Sequence, residues 1–159
     1  MTKKTIIVDI DGTIAKMGDR LKYILQKPRD YDTFYAKCLE DEPIQPIIEL
    51  VKSMYLSGFE IVFCTGRIDS VKQASAEWIS KYLPFLKDDI KLIMRKTGDK
   101  RPDTEVKPEI LSEAGYDTDK VLFILEDRTG VVDMWRKLGF TCLQTVDGKY
   151  PLLFLYHRI

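Results

Sequence analysis

Short apolar runs alternate with amphipathic stretches along most of this chain. Ile6-Ile7-Val8 precedes Asp9-Ile10-Asp11-Gly12-Thr13 and reads as a first strand, buried on both faces and running to about Asp9. From Ile14 to Gln45 the chain is more polar and irregular. Within it Tyr31, Phe34, Tyr35 and Cys38 fall on one face of a short helix, with Asp32 placed as its N-cap. Residues 14–45 are therefore expected to be a small cap inserted after the first strand, not a separate domain. From Pro46 the pattern is regular. Ile47, Leu50, Val51, Met54 and Tyr55 predict a helix closed by Gly58, and Phe59–Cys64 a second strand ending in Thr65-Gly66-Arg67. Val71, Ala74, Trp78 and Tyr82 carry the next helix to Pro84, and Lys91–Met94 is a third strand. Val106, Ile110, Leu111 and Ala114 predict a helix ended by Gly115, with Lys107 in its first turn beside Pro108. Val121–Leu125 is a fourth strand, ending in Glu126-Asp127. Val131, Met134, Trp135 and Leu138 mark a last helix before Gly139, and Phe140–Thr145 a fifth strand.

Strands alternating with amphipathic helices predict right-handed βαβ units: an α/β fold with a doubly wound parallel sheet of about five strands. In such sheets sites form outside the carboxyl ends of the strands, where Asp9, Thr65 and Asp127 fall. The 159 residues suit one domain over residues 1–159, large enough for a real core. With 25 basic residues against 25 acidic ones, the chain does not have the profile of a strongly non-specific nucleic-acid binder, though a local basic patch is compatible. Cys38, Cys64 and Cys142 have no metal-ligand spacing and read as buried thiols in a reducing, cytoplasmic setting. No apolar run approaches the ~20 residues of a membrane span, and the N-terminus has no signal-like apolar core.

The chemistry concentrates at the strand ends. Asp9 and Asp11 are two apart, so strand geometry sends both to one side where the chain leaves the sheet. Paired carboxylates repel, and their proximity implies a cation or a shared proton; a solvated turn would suit Asp11-Gly12 alone but not Asp9, which directly follows the apolar run. A carboxylate nucleophile can form an aspartyl-phosphate. A second carboxylate can protonate the leaving oxygen and later deprotonate water, which calls for a raised pKa. Mg²⁺ suits such an oxygen-rich site, to which Glu126-Asp127 adds ligands. Thr65 with backbone N–H groups, and Lys107 with its charge, can hold phosphoryl oxygens.

Asp9-Ile10-Asp11-Gly12-Thr13, Thr65-Gly66-Arg67, Lys107 and Glu126-Asp127 resemble the motif set of the haloacid dehalogenase (HAD) superfamily. Within it the chain is most similar to the 3′-phosphatase domain of phage polynucleotide kinase. The longer strings that carry this likeness are Asp9 to Met17 with Arg20, Asp103 with Val106-Lys107-Pro108-Glu109-Ile110, and Asp127-Arg128-Thr129 with Val131-Val132 and Met134-Trp135-Arg136. The resemblance runs from about Ile6 to Tyr150 and is weakest over Lys22 to Gln45. It implies Asp9 as nucleophile and Asp11 as general acid–base. It also implies Mg²⁺ held by Asp9, Asp127 and the Asp11 backbone carbonyl, with Arg20 and Arg67 on the substrate and Asp103 in the catalytic set. The related domain has Asp-Asp where this chain has Glu126-Asp127, so Glu126 is expected to reach a metal through water and Asp127 directly.

These features together predict a Mg²⁺-dependent phosphomonoesterase acting on 3′-phosphates of DNA or RNA ends. No Gly-x-x-x-x-Gly-Lys-Ser/Thr loop occurs, so no kinase activity is expected. The alternative is a phosphatase of free nucleotides or another small ester, since fold alone does not choose. A phospho-acceptor module of the response-regulator kind fits poorly, because its acceptor Asp would follow the third strand, which here ends in Met94-Arg95-Lys96. The basic stretch Arg95, Lys96, Lys100, Arg101 is either a solvated face or a nucleic-acid contact. The apolar tail Pro151–Tyr156 is open to an edge-strand or a self-association reading.

Overall fold

A computed structural model describes residues 4–146. The elements, in chain order, are β1 (Thr5–Val8), β2 (Ala15–Lys16), α1 (Lys22–Leu25), α2 (Tyr31–Ala36), β3 (Glu42–Pro43), α3 (Gln45–Leu56), β4 (Glu60–Ile68), α4 (Lys72–Tyr82), β5 (Lys91–Arg95), α5 (Asp103–Glu113), β6 (Val121–Glu126), α6 (Thr129–Lys137) and β7 (Cys142–Gln144). β5, β4, β1, β6 and β7 form one five-stranded sheet in that order, all neighbours parallel.

The two-residue side-chain period of β1 divides the interior into two cores. Ile6 and Val8 pack on one face with Ile48 and Val51 of α3 and with Trp78 and Ile79 of α4. Ile7 points the other way, into a cluster with Leu111 of α5 and with Val131, Val132 and Trp135 of α6. Each helix thus buries one stripe against one face, and β1, covered on both, can be apolar at every position. The chain winds outward from β1 through β4 to β5, then returns to β6 and β7 on the other side. That reversal puts the topological switch point beside the carboxyl end of β1, where Asp9 begins the next loop.

Residues 14–45 leave and rejoin this scaffold through a short antiparallel stem. Ala15 pairs with Pro43 and Lys16 with Glu42, while Ile44 N donates to Ile14 O at 2.7 Å. The Trp78 indole N–H of α4 donates to the Asp41 carbonyl at 2.8 Å and fastens the stem to the core.

Several expectations shift in detail. The stem strands carry no apolar alternation long enough to announce them. The cap of α2 is Asp30, whose carboxylate accepts from Thr33 N at 2.9 Å, so Asp32 lies within the first turn of the helix. β4 does not stop at Cys64 but continues through Arg67 to Ile68, with a register irregularity between Thr65 and Ile68. α5 begins at Asp103, so Lys107 is in its second turn and Pro108 lies inside it, forgoing one helical hydrogen bond. The three thiols are buried and free, as expected. Among the described residues no helix is long and apolar enough to cross a membrane. The tail Pro151–Tyr156 lies outside the described residues.

Candidate active site

The site is built from two charge clusters on either side of the β1 end. The deeper one centres on Lys107. Its ammonium group is buried, donating to Asp9 Oδ1 at 2.8 Å and to Glu126 Oε2 at 2.6 Å. Burial alone would drive an ammonium towards neutrality, but the Asp9 and Glu126 charges overcome it and hold Lys107 protonated well above the usual lysine range. A cation in this position crosslinks β1, α5 and β6 and fixes the Asp9 carboxylate. Thr13 Oγ1 lies 3.1 Å from Asp9 Oδ2 and 3.4 Å from Asp127 Oδ1, which fixes it from the other side.

Asp127 is fully buried and differently provided for. Its Oδ2 has no hydrogen-bond partner among the described residues. Burial, with Asp9 and Glu126 as close negative neighbours, pushes its carboxyl up to about 10. Asp9, Glu126 and Asp127 offer oxygens within 4.8 Å of one another. A divalent cation fits this donor set: it would satisfy the orphaned oxygen and relieve three crowded carboxylates at once. Glu126 is the most committed of the three. Its Oε2 is taken by Lys107, and its Oε1 accepts from Asp127 N and Arg128 N at 3.1 and 3.3 Å. The longer side chain therefore folds back onto its own backbone, which leaves Asp127 with the freer oxygen. Gly12, at φ +86°, has no side chain because a Cβ there would lie 2.2 Å from Asp127 Oδ2.

The second cluster holds Asp11. Arg20 Nη2 donates to its Oδ1 at 2.5 Å, and Arg67 approaches the same carboxylate through Nη2 at 2.7 Å and Nε at 3.1 Å. Burial raises the Asp11 pKa, but the Arg67 and Arg20 charges and hydrogen bonds outweigh it and hold the group well below the usual carboxylate range. This reverses the expectation of a raised pKa: the repulsive partner, Asp9, is neutralised by Lys107, while two guanidiniums face Asp11. Arg20, expected to be either a solvated charge or a substrate contact, is only 3% exposed and lies behind Asp11, off the cleft wall. Both arginines also reach the buried Asp41, Arg20 at 2.6 and 2.7 Å and Arg67 at 3.2 Å. Arg67 Nη1 donates to Ser75 Oγ at 3.1 Å. Asp41 was not marked by any sequence pattern, since its partners are 21 and 26 residues away.

Asp103 opens α5 across from these groups. Its carboxylate accepts from Arg95 and from Arg128, one guanidinium on each oxygen. Arg95 also donates to Gly66 O at 3.0 Å, Asp99 O at 3.0 Å and Arg101 O at 2.5 Å, and so ties the loop after β5 to the irregular turn of β4. Arg101 pairs with Asp99 and Glu109. Half of the basic stretch is therefore engaged in pairs within the chain, and Lys96, Lys100 and the ion-paired Arg101 are its exposed members. Gly66 is required by close approach, because a Cβ there would lie 2.6 Å from Asp103 Oδ1. Asp103 is pinned by two arginines and has little room to yield. Gly66→Ala is expected to cost about 1–3 kcal/mol in urea unfolding and to lower turnover about 100-fold through misplacement of Thr65 and Arg67. Unchanged unfolding would show that the β4 turn can move.

A cleft of about 540 Å³ opens over this floor. Asp9, Asp11, Thr65, Gly66, Arg67 and Asp103 line it, whereas Lys107, Glu126 and Asp127 lie beneath. One wall comes from residues 17–35 and the other from residues 95–103. The arrangement presents one oriented carboxylate, Asp9, to the cleft, the buried carboxyls of Glu126 and Asp127 behind it, and a second ionised carboxylate, Asp11, beside it.

Comparison with known proteins points the same way. Residues 3–150 match the model of the family described as the polynucleotide kinase PNKP phosphatase domain. A protein of Autographa californica nuclear polyhedrosis virus, named as a bifunctional polynucleotide kinase/RNA ligase, is 30% identical over 150 residues. The match takes in 92% of this chain and 20% of that protein. A chain in the structure of the Pnkp1/Rnl/Hen1 RNA repair complex superposes with a TM-score of 0.77 at 27% identity, over 94% of this chain and 44% of that one. A haloacid dehalogenase-like hydrolase from Streptococcus pneumoniae gives a TM-score of 0.65 at 13% identity, covering 97% and 90% of the two chains, which shows the shared fold. The chain thus spans about a fifth of the viral relative and under half of the repair-complex chain.

Proposed function

The chain belongs to the family of polynucleotide kinase phosphatase domains and is a phosphatase of the haloacid dehalogenase type; on that premise we propose that it removes 3′-phosphates from polynucleotide ends through an aspartyl-phosphate on Asp9. The observation that carries the proposal is the state of Asp9. It faces the cleft at the switch point, oriented by Lys107 at 2.8 Å and by Thr13, above the buried carboxyls of Glu126 and Asp127, the latter with one oxygen unpartnered among the described residues.

In this reading an Asp9 oxygen forms the new bond to phosphorus while the ester P–O bond breaks. The leaving 3′-oxygen takes a proton from Asp11, and Asp11 then takes one from the water that attacks the aspartyl-phosphate, releasing phosphate and restoring Asp9. The arginine clamp keeps Asp11 ionised at rest, the state needed for the water step. For the first step, an incoming phosphate draws Arg67 from Asp11, which lets the carboxylate, on the cleft lining, take up a proton from solvent. Arg67, on the cleft wall, contacts phosphate directly; Arg20 acts through Asp11. Thr65, 1% exposed and lining the cleft, holds a phosphoryl oxygen. Asp103 acts by holding the β4 turn in place. Asp127 and Asp9, the Asp11 carbonyl and, more distantly, Glu126 would hold Mg²⁺, which when bound offsets the repulsion between carboxylate and phosphate. Residues 14–45 serve as a small cap that forms one cleft wall within a single domain.

The test compares phosphate release from a 3′-phosphorylated oligonucleotide, nucleoside 3′- and 5′-monophosphates and glycerol phosphate. Release from the oligonucleotide should be fastest, fall to background with EDTA and return with Mg²⁺. A preference for free 5′-monophosphates would overturn the polynucleotide assignment, and EDTA-insensitive release would overturn the metal.

A further inference from the structure

The cleft wall opposite the β5–α5 loop contains two partly exposed aromatic rings to which the chemistry above assigns no part. Of the aromatic residues on α2, Phe34 is buried and carries the Arg20 guanidinium 4.3 Å from its ring centroid. Tyr31 and Tyr35 lie one helical turn apart on either side of it, partly exposed, and both line the cleft that reaches Asp9 and Asp11. Their rings are stacked, with centroids 6.5 Å apart and planes inclined by 26°. Arg29, itself on the cleft wall, donates to the Tyr31 hydroxyl at 3.2 Å and fixes that ring's direction.

We propose that Tyr31 and Tyr35 form a stacking platform for the nucleobase of the nucleotide that carries the phosphate. This deepens the polynucleotide reading above and rests on it. The floor of the cleft, with Asp9, Thr65 and Arg67, is polar and suits a phosphate. The α2 wall offers flat aromatic faces, with Met17 beside them and Pro102 across the cleft. A ligand that fills both ends needs an anionic group at one and a flat π-surface at the other, which describes a nucleotide and not a phosphorylated sugar or polyol. Aromatic faces accept any base, so the platform reads the presence of a base and not its identity. The volume, about 540 Å³, lies in the range of sites that enclose one small ligand, so the platform serves the terminal unit. Lys100, exposed on the opposite rim, is placed for the phosphodiester that follows.

The experiment uses oligonucleotides, deoxyribo- and ribo-, with 2-aminopurine at the 3′-phosphorylated terminus or three nucleotides inward. Binding is read by fluorescence with the Asp9→Asn protein, so no turnover is needed. Stacking quenches 2-aminopurine. The terminal probe should be quenched severalfold more than the internal one. The difference should vanish with Tyr31→Leu plus Tyr35→Leu and persist with Phe at both positions. Circular dichroism of the Leu variant checks that α2 and the core survive. Equal quenching of terminal and internal probes, or quenching that survives the Leu pair, overturns the platform. If 2-aminopurine nucleoside 3′-monophosphate is quenched as strongly as the oligonucleotide at equal concentration, the platform stands and the source of the base becomes the free nucleotide. That result would sink the polynucleotide reading alone.

Discussion

Asp9→Asn should reduce phosphate release at least about 1,000-fold while leaving the protein folded and able to bind a 3′-phosphorylated end. The substitution keeps the shape of the side chain and removes its charge and its capacity to form the acyl phosphate. Lys107 keeps its Glu126 partner at 2.6 Å, so the buried cation is not stranded and the β1–α5–β6 junction should hold. Binding should tighten, if it changes, because the substrate phosphate no longer meets the Asp9 negative charge. Three readouts separate the possible outcomes: phosphate release, unfolding in urea, and acid-quenched peptide mass. The wild-type peptide containing Asp9 should gain one phosphoryl group during turnover, and the variant peptide should gain none. Residual activity above about a tenth of wild type would mean that water, not Asp9, attacks phosphorus.

Much of this site is readable in the sequence because its anchors are local. The apolar run before Asp9 demands a strand buried on both faces, and that strand delivers Asp9 to its carboxyl end. The same logic places Asp127 after β6 and Thr65 at the β4 turn. The tertiary pairing of charges is not local. Sequence spacing sets Asp9 next to Asp11 and suggests a raised pKa for the latter. In the folded chain Lys107, 98 residues from Asp9, takes one carboxylate, and Arg67, 56 residues from Asp11, takes the other. Two like charges expected to repel are each given a separate cation.

Asp41 and the two tyrosines were hidden for a different reason. The segment from Ile14 to Gln45 has short elements: a two-strand stem and helices of four and six residues. Spacing puts Tyr31, Phe34 and Tyr35 on one helical face but is too short a signal to say what that face meets: Phe34 is buried, while both tyrosines line the cleft. The basic stretch misleads in the opposite direction. Arg95 and Arg101 look available on composition, but Gly66 O, Asp99, Asp103 and Glu109 absorb them. What remains for a polyanion on that rim is the pair Lys96 and Lys100.

Asp127→Asn is expected to separate stability from activity. In the absence of metal, the folded protein holds the Asp127 carboxyl protonated, its pKa pushed up to about 10 by burial and by the charges of Asp9 and Glu126. In the unfolded chain it titrates near 3.8. Between those values the folded state binds more protons than the unfolded state, so this group makes stability fall as pH rises, by up to about 1.4 kcal/mol per pH unit. Asparagine cannot ionise and removes that slope. In EDTA, unfolding free energies at pH 5.5 and 8.5 should therefore fall less for the variant than for wild type, with the variant the more stable at the higher pH. Mg²⁺ should reverse the ranking: it stabilises the wild type by drawing the proton from Asp127 and occupying its orphaned oxygen, and it has little effect on the variant. Turnover should drop about 100-fold or more, because an amide oxygen neither carries the charge nor matches the affinity of the carboxylate. Parallel pH slopes in EDTA would show that Asp127 stays ionised in the fold, compensated by a group other than a metal. Equal Mg²⁺ stabilisation of both proteins would move the metal away from the Asp127 side chain and onto Asp9 and Glu126.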